Sequence, residues 1–169
     1  ERNTRRIMNE KRRLLGMTLD ELKGVAFEAG LPGYAAKQMA DWLYKKKVTS
    51  IAAMTNIASA KRALLEKNFE VGAVPPSDLM KSVDGTIKYL YPAGPGNFVE
   101  SVYIPTEDRA TLCVSSQVGC KMNCLFCMTG KQGFTKNLSA NEILNQIQSL
   151  PETEELTNIV FMGMGEPLD

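Results

Sequence analysis

All four cysteines of this 169-residue chain, Cys113, Cys120, Cys124 and Cys127, fall within fifteen consecutive positions, and the chain has no histidine. That combination constrains fold and chemistry more than any other feature. Disulfide scaffolds spread their cysteines to staple distant loops, so a cluster this tight argues for a reducing, cytoplasmic setting. Without imidazole the chain builds no Ser-His-Asp triad, no Cys-His pair and no His-ligated metal site. Proton transfer falls to a carboxylate, a thiolate, a lysine or a tyrosine. No secretory leader pattern is visible and no apolar run approaches the roughly 20 residues that span a bilayer, so no membrane partner is expected.

Within Gly119–Cys127, Cys120, Cys124 and Cys127 stand in CxxxCxxC spacing. Three thiolates on one tight loop can hold three corners of a 4Fe–4S cubane and leave the fourth iron open to a small molecule. A structural zinc site usually draws two cysteine pairs from separate segments, and only one such pair exists here. Cys113 offers a fourth thiolate, so an all-cysteine zinc site stays open as an alternative.

Hydrophobic periodicity divides the chain into zones. A basic segment covers residues 1–16, with six basic against two acidic residues in its first thirteen. A helical domain covers 17–75. Thr18-Leu19-Asp20-Glu21 forms a capping box ahead of Leu19, Leu22, Ala26 and Ala29, with Gly30 as the stop. A second helix runs through Met39, Trp42 and Leu43 to Lys45-Lys46-Lys47, and a third includes Ala63, Leu64 and Leu65. These apolar positions read as core.

Residues 76–108 read as a β-hairpin extension, because Asp84-Gly85 lies between two strand-forming runs. In Phe98–Ile104, period two sets Phe98, Glu100, Val102 and Ile104 on one face. Three of the four are apolar, so Glu100 is expected to point inward, where burial raises its pKa toward that of a useful proton acceptor. A carboxylate at a wet edge has the same spacing.

Residues 109–169 read as strand, cysteine loop, helix and strand. Ser139-Ala140-Asn141-Glu142 caps a helix carrying Ile143, Leu144 and Ile147, which ends at Pro151. Asn158–Met162 is an apolar run suited to a strand buried on both sides. This is one βαβ unit with a parallel sheet. The cysteine loop and Gly163-Met164-Gly165-Glu166-Pro167 follow the carboxyl ends of their strands, where α/β folds bind ligands.

Charge is uneven, at +6 over residues 1–75 and −5 over residues 76–169. Asymmetry of this kind suggests that the basic half meets a polyanion, although a solvated tail also reads this way.

CxxxCx-aromatic-C directly after a strand resembles the signature of radical S-adenosylmethionine (SAM) enzymes. Arg109–Cys120, Gln132-Gly133-Phe134 and Gly163–Pro167 are similar to the RlmN/Cfr family of RNA adenine methyltransferases, over roughly residues 17–169. The resemblance implies a mixed α/β fold: the start of a partial TIM-like parallel β/α barrel behind the helical accessory domain and the β-hairpin extension. It implies that Cys120, Cys124 and Cys127 ligate the 4Fe–4S cluster. Phe126 would lie against S-adenosyl-L-methionine, and Gly165 and Glu166 would meet its amino group.

The implied activity is methylation of carbon 2 of adenosine in 23S rRNA and tRNA through a methylated cysteine. Cys113 would resolve the protein–RNA adduct, leaving a disulfide, and Glu100 would accept the proton. The expected partners are those RNAs and an electron donor such as flavodoxin, with the chain a monomer. Two alternatives are a Cfr-like carbon-8 methyltransferase and a non-enzymatic, zinc-stabilised RNA-binding module. The family's methyl-carrying cysteine lies near its carboxyl end, and all four cysteines here are already assigned. The expectation is therefore the front part of a larger enzyme that cannot complete methyl transfer alone.

Overall fold

The computed structural model describes residues 11–169. Arg2, Arg5 and Arg6, which contribute to the basic start, lie outside the described residues. The chain divides into two compact units, 1–72 and 73–169.

The first unit contains three ten-residue helices, α1 (Leu19–Glu28), α2 (Ala35–Tyr44) and α3 (Ser59–Asn68). The α1 capping box forms in full: Thr18 Oγ1 accepts from Glu21 N, and the Glu21 carboxylate accepts from Thr18 N at 2.6 Å. Leu22, Val25, Ala26, Met39, Leu43 and Leu65 are buried, so the helical stripes do form a core.

The basic segment drawn over 1–16 needs correction at its end. Arg12–Arg13 (β1) pair in parallel with Phe69–Glu70 (β2), and Leu14 and Leu15 are buried with the helices. Two consecutive leucines gain more from burial than a tail keeps in freedom. Arg12 also pairs with Glu28 at 2.9 Å and Arg13 with Glu70 at 3.3 Å.

The second unit is built on a five-stranded sheet. Its strands are β3 (Asp78–Lys81), β4 (Ile87–Pro92), β5 (Phe98–Pro105), β6 (Ala110–Cys113) and β9 (Asn158–Val160). The first four are antiparallel neighbours in chain order, and β9 joins β6 in parallel. The β3–β4 turn closes at Gly85, whose positive φ of 87° suits glycine. Between β6 and β9 run β7 (Gln117–Gly119), the short helix α4 (Met128–Lys131), β8 (Phe134–Asn137) and α5 (Ala140–Gln148). The expected βαβ unit is therefore present, with a β7–β8 antiparallel pair inserted in it.

Two expectations change here. The hairpin zone is not a separate extension, because β5 pairs with β6 from Val102↔Cys113 to Pro105↔Ala110. The buried face of β5 carries Val99, Ser101 and Tyr103, opposite to the face expected to be buried. The core lies on that side, where Ile143, Ile147 and Leu150 of the α5 region pack against Tyr89, Tyr91, Val99, Tyr103 and Leu112. Among the described residues β9 pairs with β6 alone, and Ile159, Phe161 and Met162 are exposed in this chain.

No helix among the described residues is long and apolar enough to cross a membrane.

Candidate functional site

Strand pairing places the reactive side chains on the sheet face opposite α5. Met80, Lys88, Val102, Cys113 and Val160 are in register across β3, β4, β5, β6 and β9. Glu100 lies two residues from Val102, on the same face. Its side chain is 44% exposed and its carboxylate is 2.9 Å from Lys88 Nζ. The inward, desolvated Glu100 inferred from strand period is thus corrected to a half-exposed carboxylate in an ion pair, because the helix covers the other face. Glu100 and Cys113 nevertheless share one surface. Burial pushes the Cys113 thiol above the ordinary value, against a weaker opposing contribution from the Met162 N–H.

The cysteine loop leaves from β7 and is pinned at both ends. Cys120 N donates to Gly133 O at 3.1 Å, and Gly119 pairs with Phe134 across the β7–β8 ribbon. A Cβ on Gly119 would sit 1.7 Å from Gly133 O, so only glycine allows this approach. The Gln132-Gly133-Phe134 segment therefore forms the floor under the first cysteine. Within the loop, Cys127 N donates to Cys124 O, and Asn123 takes a positive φ of 48°. The Cys127 thiol is held below its ordinary pKa, chiefly by the Gly130 N–H and also by Thr129. Such donors favour the thiolate, the form that ligates iron. Cys124 and Phe126 are exposed.

Among the described residues, no three Cys, Asp or Glu side chains converge where one metal ion could sit. Cys113 stays on β6, half-buried and with its thiol favoured over the thiolate. Three thiols on one loop, with the Cys127 pKa lowered by backbone donors, suit the donor set of a three-cysteine cluster.

The Gly163–Glu166 loop is fastened to the strand that leads into the cysteines. Ser115 Oγ accepts from Met164 N at 2.9 Å and donates to Glu100 O at 2.5 Å. Ser116 N and Gln117 N both donate to Met164 O. Gln117 Oε1 accepts from Glu166 N at 3.0 Å. Gly163 lies against Ser115 and Val114, and a Cβ on Gly165 would fall 2.5 Å from Gln117 Cβ. The segment after β6 is clamped in turn by Gln146, which accepts from Ser115 N at 2.9 Å and donates to Ser115 O at 3.0 Å.

The sequence reading missed Ser115, Gln117, Gln146 and Lys88. A signal was present for three of them. Ser115 and Gln117 lie between the apolar Val114 and Val118, and Gln146 lies on the same helix as Ile143 and Ile147. Polar residues at core positions need partners.

Two family models match the chain: the ribosomal RNA large subunit methyltransferase N-terminal domain over residues 12–71, and the radical SAM superfamily over residues 114–169. The chain is 82% identical over 162 residues to the probable dual-specificity RNA methyltransferase RlmN of Parabacteroides distasonis, covering 96% of this chain and 47% of that protein. It is 47% identical to the dual-specificity RNA methyltransferase RlmN of Geobacter sulfurreducens, covering 90% of this chain and 42% of the relative. A crystal structure of a radical SAM methyltransferase from Sphaerobacter thermophilus matches with a TM-score of 0.83 and 37% identity, covering 93% of this chain and 48% of that one. The chain thus spans about half the length of the curated relatives it matches. With both models lying in order along it, the chain belongs to the RlmN family and corresponds to the N-terminal portion of its members.

Proposed function

We propose that this chain is the cluster-bearing portion of a methyltransferase that modifies carbon 2 of adenosine in 23S rRNA and tRNA. The observation that carries this reading is the fastening of the Gly163–Glu166 loop, through Ser115 and Gln117, to the strand leading into the cysteines, beside a sheet face bearing Glu100 and Cys113. On this reading Cys120, Cys124 and Cys127 hold a 4Fe–4S cluster. Gly165 and Glu166, with Phe126 nearby on the cysteine loop, receive S-adenosyl-L-methionine. A carboxylate and turn carbonyls suit an ammonium donor.

The bound cofactors supply one-electron chemistry, which an unactivated aromatic carbon requires and which no side chain here provides. The chain's own residues bind, orient and move protons. The Glu100 carboxylate accepts the proton from the target base, with the Lys88 ammonium alongside. Cys113, on the same sheet face as Glu100, resolves the adduct. The basic helical unit contacts RNA, a flavodoxin-type protein supplies electrons, and the reducing cytoplasm keeps the thiols free.

Anaerobic reconstitution tests the cofactor assignment. About four irons and four sulfides per chain are expected, lost when Cys120, Cys124 and Cys127 are replaced by Ala and kept in Cys113→Ala. Stoichiometric zinc with no iron–sulfur assembly would refute it. Substituting this chain for the matching segment of the Parabacteroides distasonis relative tests the substrate. RNA digests should then contain 2-methyladenosine, and 8-methyladenosine alone would reassign the target carbon.

A further inference from the structure

We propose that Gln117 is a positioning residue for the S-adenosylmethionine loop, acting through the backbone of Glu166. This inference rests on the reading that Gly165 and Glu166 receive that cofactor. Gln117 is 2% exposed, so its side-chain amide has no water to fall back on. Its Oε1 accepts from Glu166 N at 3.0 Å, and its Nε2 donates to Asn137 Oδ1 at 2.9 Å and to Asp169 Oδ2 at 3.1 Å. The first bond fixes the turn at the residue whose carboxylate would meet the ammonium. The second fixes the amide from β8, the strand behind the floor of the cysteine loop.

The side-chain stem completes the device. Gly165 has a φ of +98°, and the space a Cβ would need is occupied by Gln117 Cβ and Cγ, at 2.5 and 2.7 Å. Gln117 and the glycine therefore fit as a pair: the stem rests on the Gly165 backbone while the amide reaches one residue further. Gln117 also begins β7, which ends at Gly119, directly before Cys120. One buried side chain thus ties the loop after β9 to the ribbon that carries the cluster ligands. A residue so placed sets the spacing between cofactor ammonium and cluster, which a general packing residue would not do.

Three variants separate positioning from packing. Gln117→Ala removes the acceptor. Gln117→Asn keeps an amide but withdraws it by one methylene. Gln117→Glu, made together with Asp169→Asn so that no second carboxylate faces it, keeps an acceptor at the native reach, and the Asn137 amide and the amide introduced at position 169 can turn to donate to it. In the anaerobically reconstituted chain, iron and sulfide content should match the native protein in all three.

Hydrogen exchange in the peptide spanning 162–168 should quicken in the Ala and Asn variants and return toward native in Glu. The paramagnetic signal of the reduced cluster should respond to S-adenosylmethionine at about tenfold higher concentration in Ala and Asn, and within about threefold of native in Glu. Native exchange and native cofactor response in Gln117→Ala would overturn the proposal while leaving the functional reading intact. Loop exchange that follows the hydrogen bond, in a native chain whose cluster never responds to the cofactor, would overturn that reading and the cofactor role of Gln117 with it. Should Gln117→Ala fail to fold, the Asn and Glu variants decide alone, and equal behaviour of the two would refute the acceptor role.

Discussion

Glu100 shows how one side chain's environment depends on which face of a strand is covered. Period two grouped Glu100 with Phe98, Val102 and Ile104, and the grouping is right. The apolar majority suggested that this face was inside, yet Tyr103 and Val99 carry the packing on the α5 side, with Ser101 buried on the same face. The Glu100 face is still a real apolar surface, with Phe98 and Ile104 partly exposed. The sequence reveals the two faces, but the choice between them depends on where a helix forty residues later packs.

Glycine at position 119 gives a sharp test of the cysteine loop. Gly119→Ala adds a methyl 1.7 Å from a backbone oxygen and forces a side chain to a φ of +76°. The conformational strain alone costs about 1–2 kcal/mol, before the collision is counted. Reconstituted iron should fall well below native. Gly33→Ala, which meets nothing within 4 Å, should leave iron content unchanged. Equal iron in both variants would mean that the Gly119–Gly133 approach does not shape the loop.

At the scale of elements, both capping boxes were legible because they are local: a hydroxyl and a carboxylate three residues apart fix a helix start wherever it lies. At α5 the box is extended, since the Glu142 carboxylate also meets Lys136 Nζ at 2.6 Å. Burial alone would raise the Glu142 pKa, but the Lys136 ammonium and the Ser139 donors outweigh it and hold it below 4.5. A carboxylate with a folded pKa below its unfolded one stabilises fully above the unfolded value. That contribution is lost as pH falls through the folded pKa. Thermal melts should therefore show an acid-side loss of stability below about pH 4.5 that is smaller in Glu142→Gln. Ser139→Ala should cost about 1 kcal/mol at neutral pH. An unchanged acid limb in Glu142→Gln would remove Glu142 from this account.

The long-range elements were not legible in the same way. The parallel β1–β2 pair joins positions 57 residues apart, and the β7–β8 ribbon is built from residues whose sequence reads as loop. Neither has an alternating pattern long enough to announce a strand. Gln146 lies on the helix that presents Ile143 and Ile147, so its polarity looked like noise among apolar positions. It satisfies both backbone groups of Ser115, and this explains a buried amide in an otherwise apolar setting. Gln146→Ala leaves two buried groups unpaired and should cost on the order of 2 kcal/mol or more in chemical denaturation. Gln146→Leu, which restores volume without the bonds, should remain destabilised. Recovery of native stability in the leucine variant would show that the amide only fills space.

At the scale of the whole molecule, the uneven charge of the sequence has a structural counterpart in the two units. The excess of basic residues lies in the helical unit, but part of it is already neutralised there. Arg12 pairs with Glu28, Arg13 with Glu70, Lys23 with Asp20 and Lys45 with Asp41. Lys46 lies over the Trp42 ring at 3.5 Å, an arrangement that leaves a cation at the surface on a rigid support. The run Lys45-Lys46-Lys47 at the end of α2, with Lys46 held over an aromatic ring rather than by a carboxylate, is therefore a better test of RNA binding than Arg12 and Arg13, which both pair with carboxylates. If α2 presents this run to phosphates, replacing all three lysines by Ala should weaken RNA binding. It should also lower the slope of log K against log salt by up to about 0.9 for each phosphate no longer neutralised on duplex regions. Replacing Lys81, Arg109 and Lys131 in the second unit removes the same positive charge and serves as the control. Equal slopes for the two variants would show that the helical unit attracts RNA only through net charge. A reduced slope confined to the α2 variant would locate the phosphate-binding cations at the end of that helix.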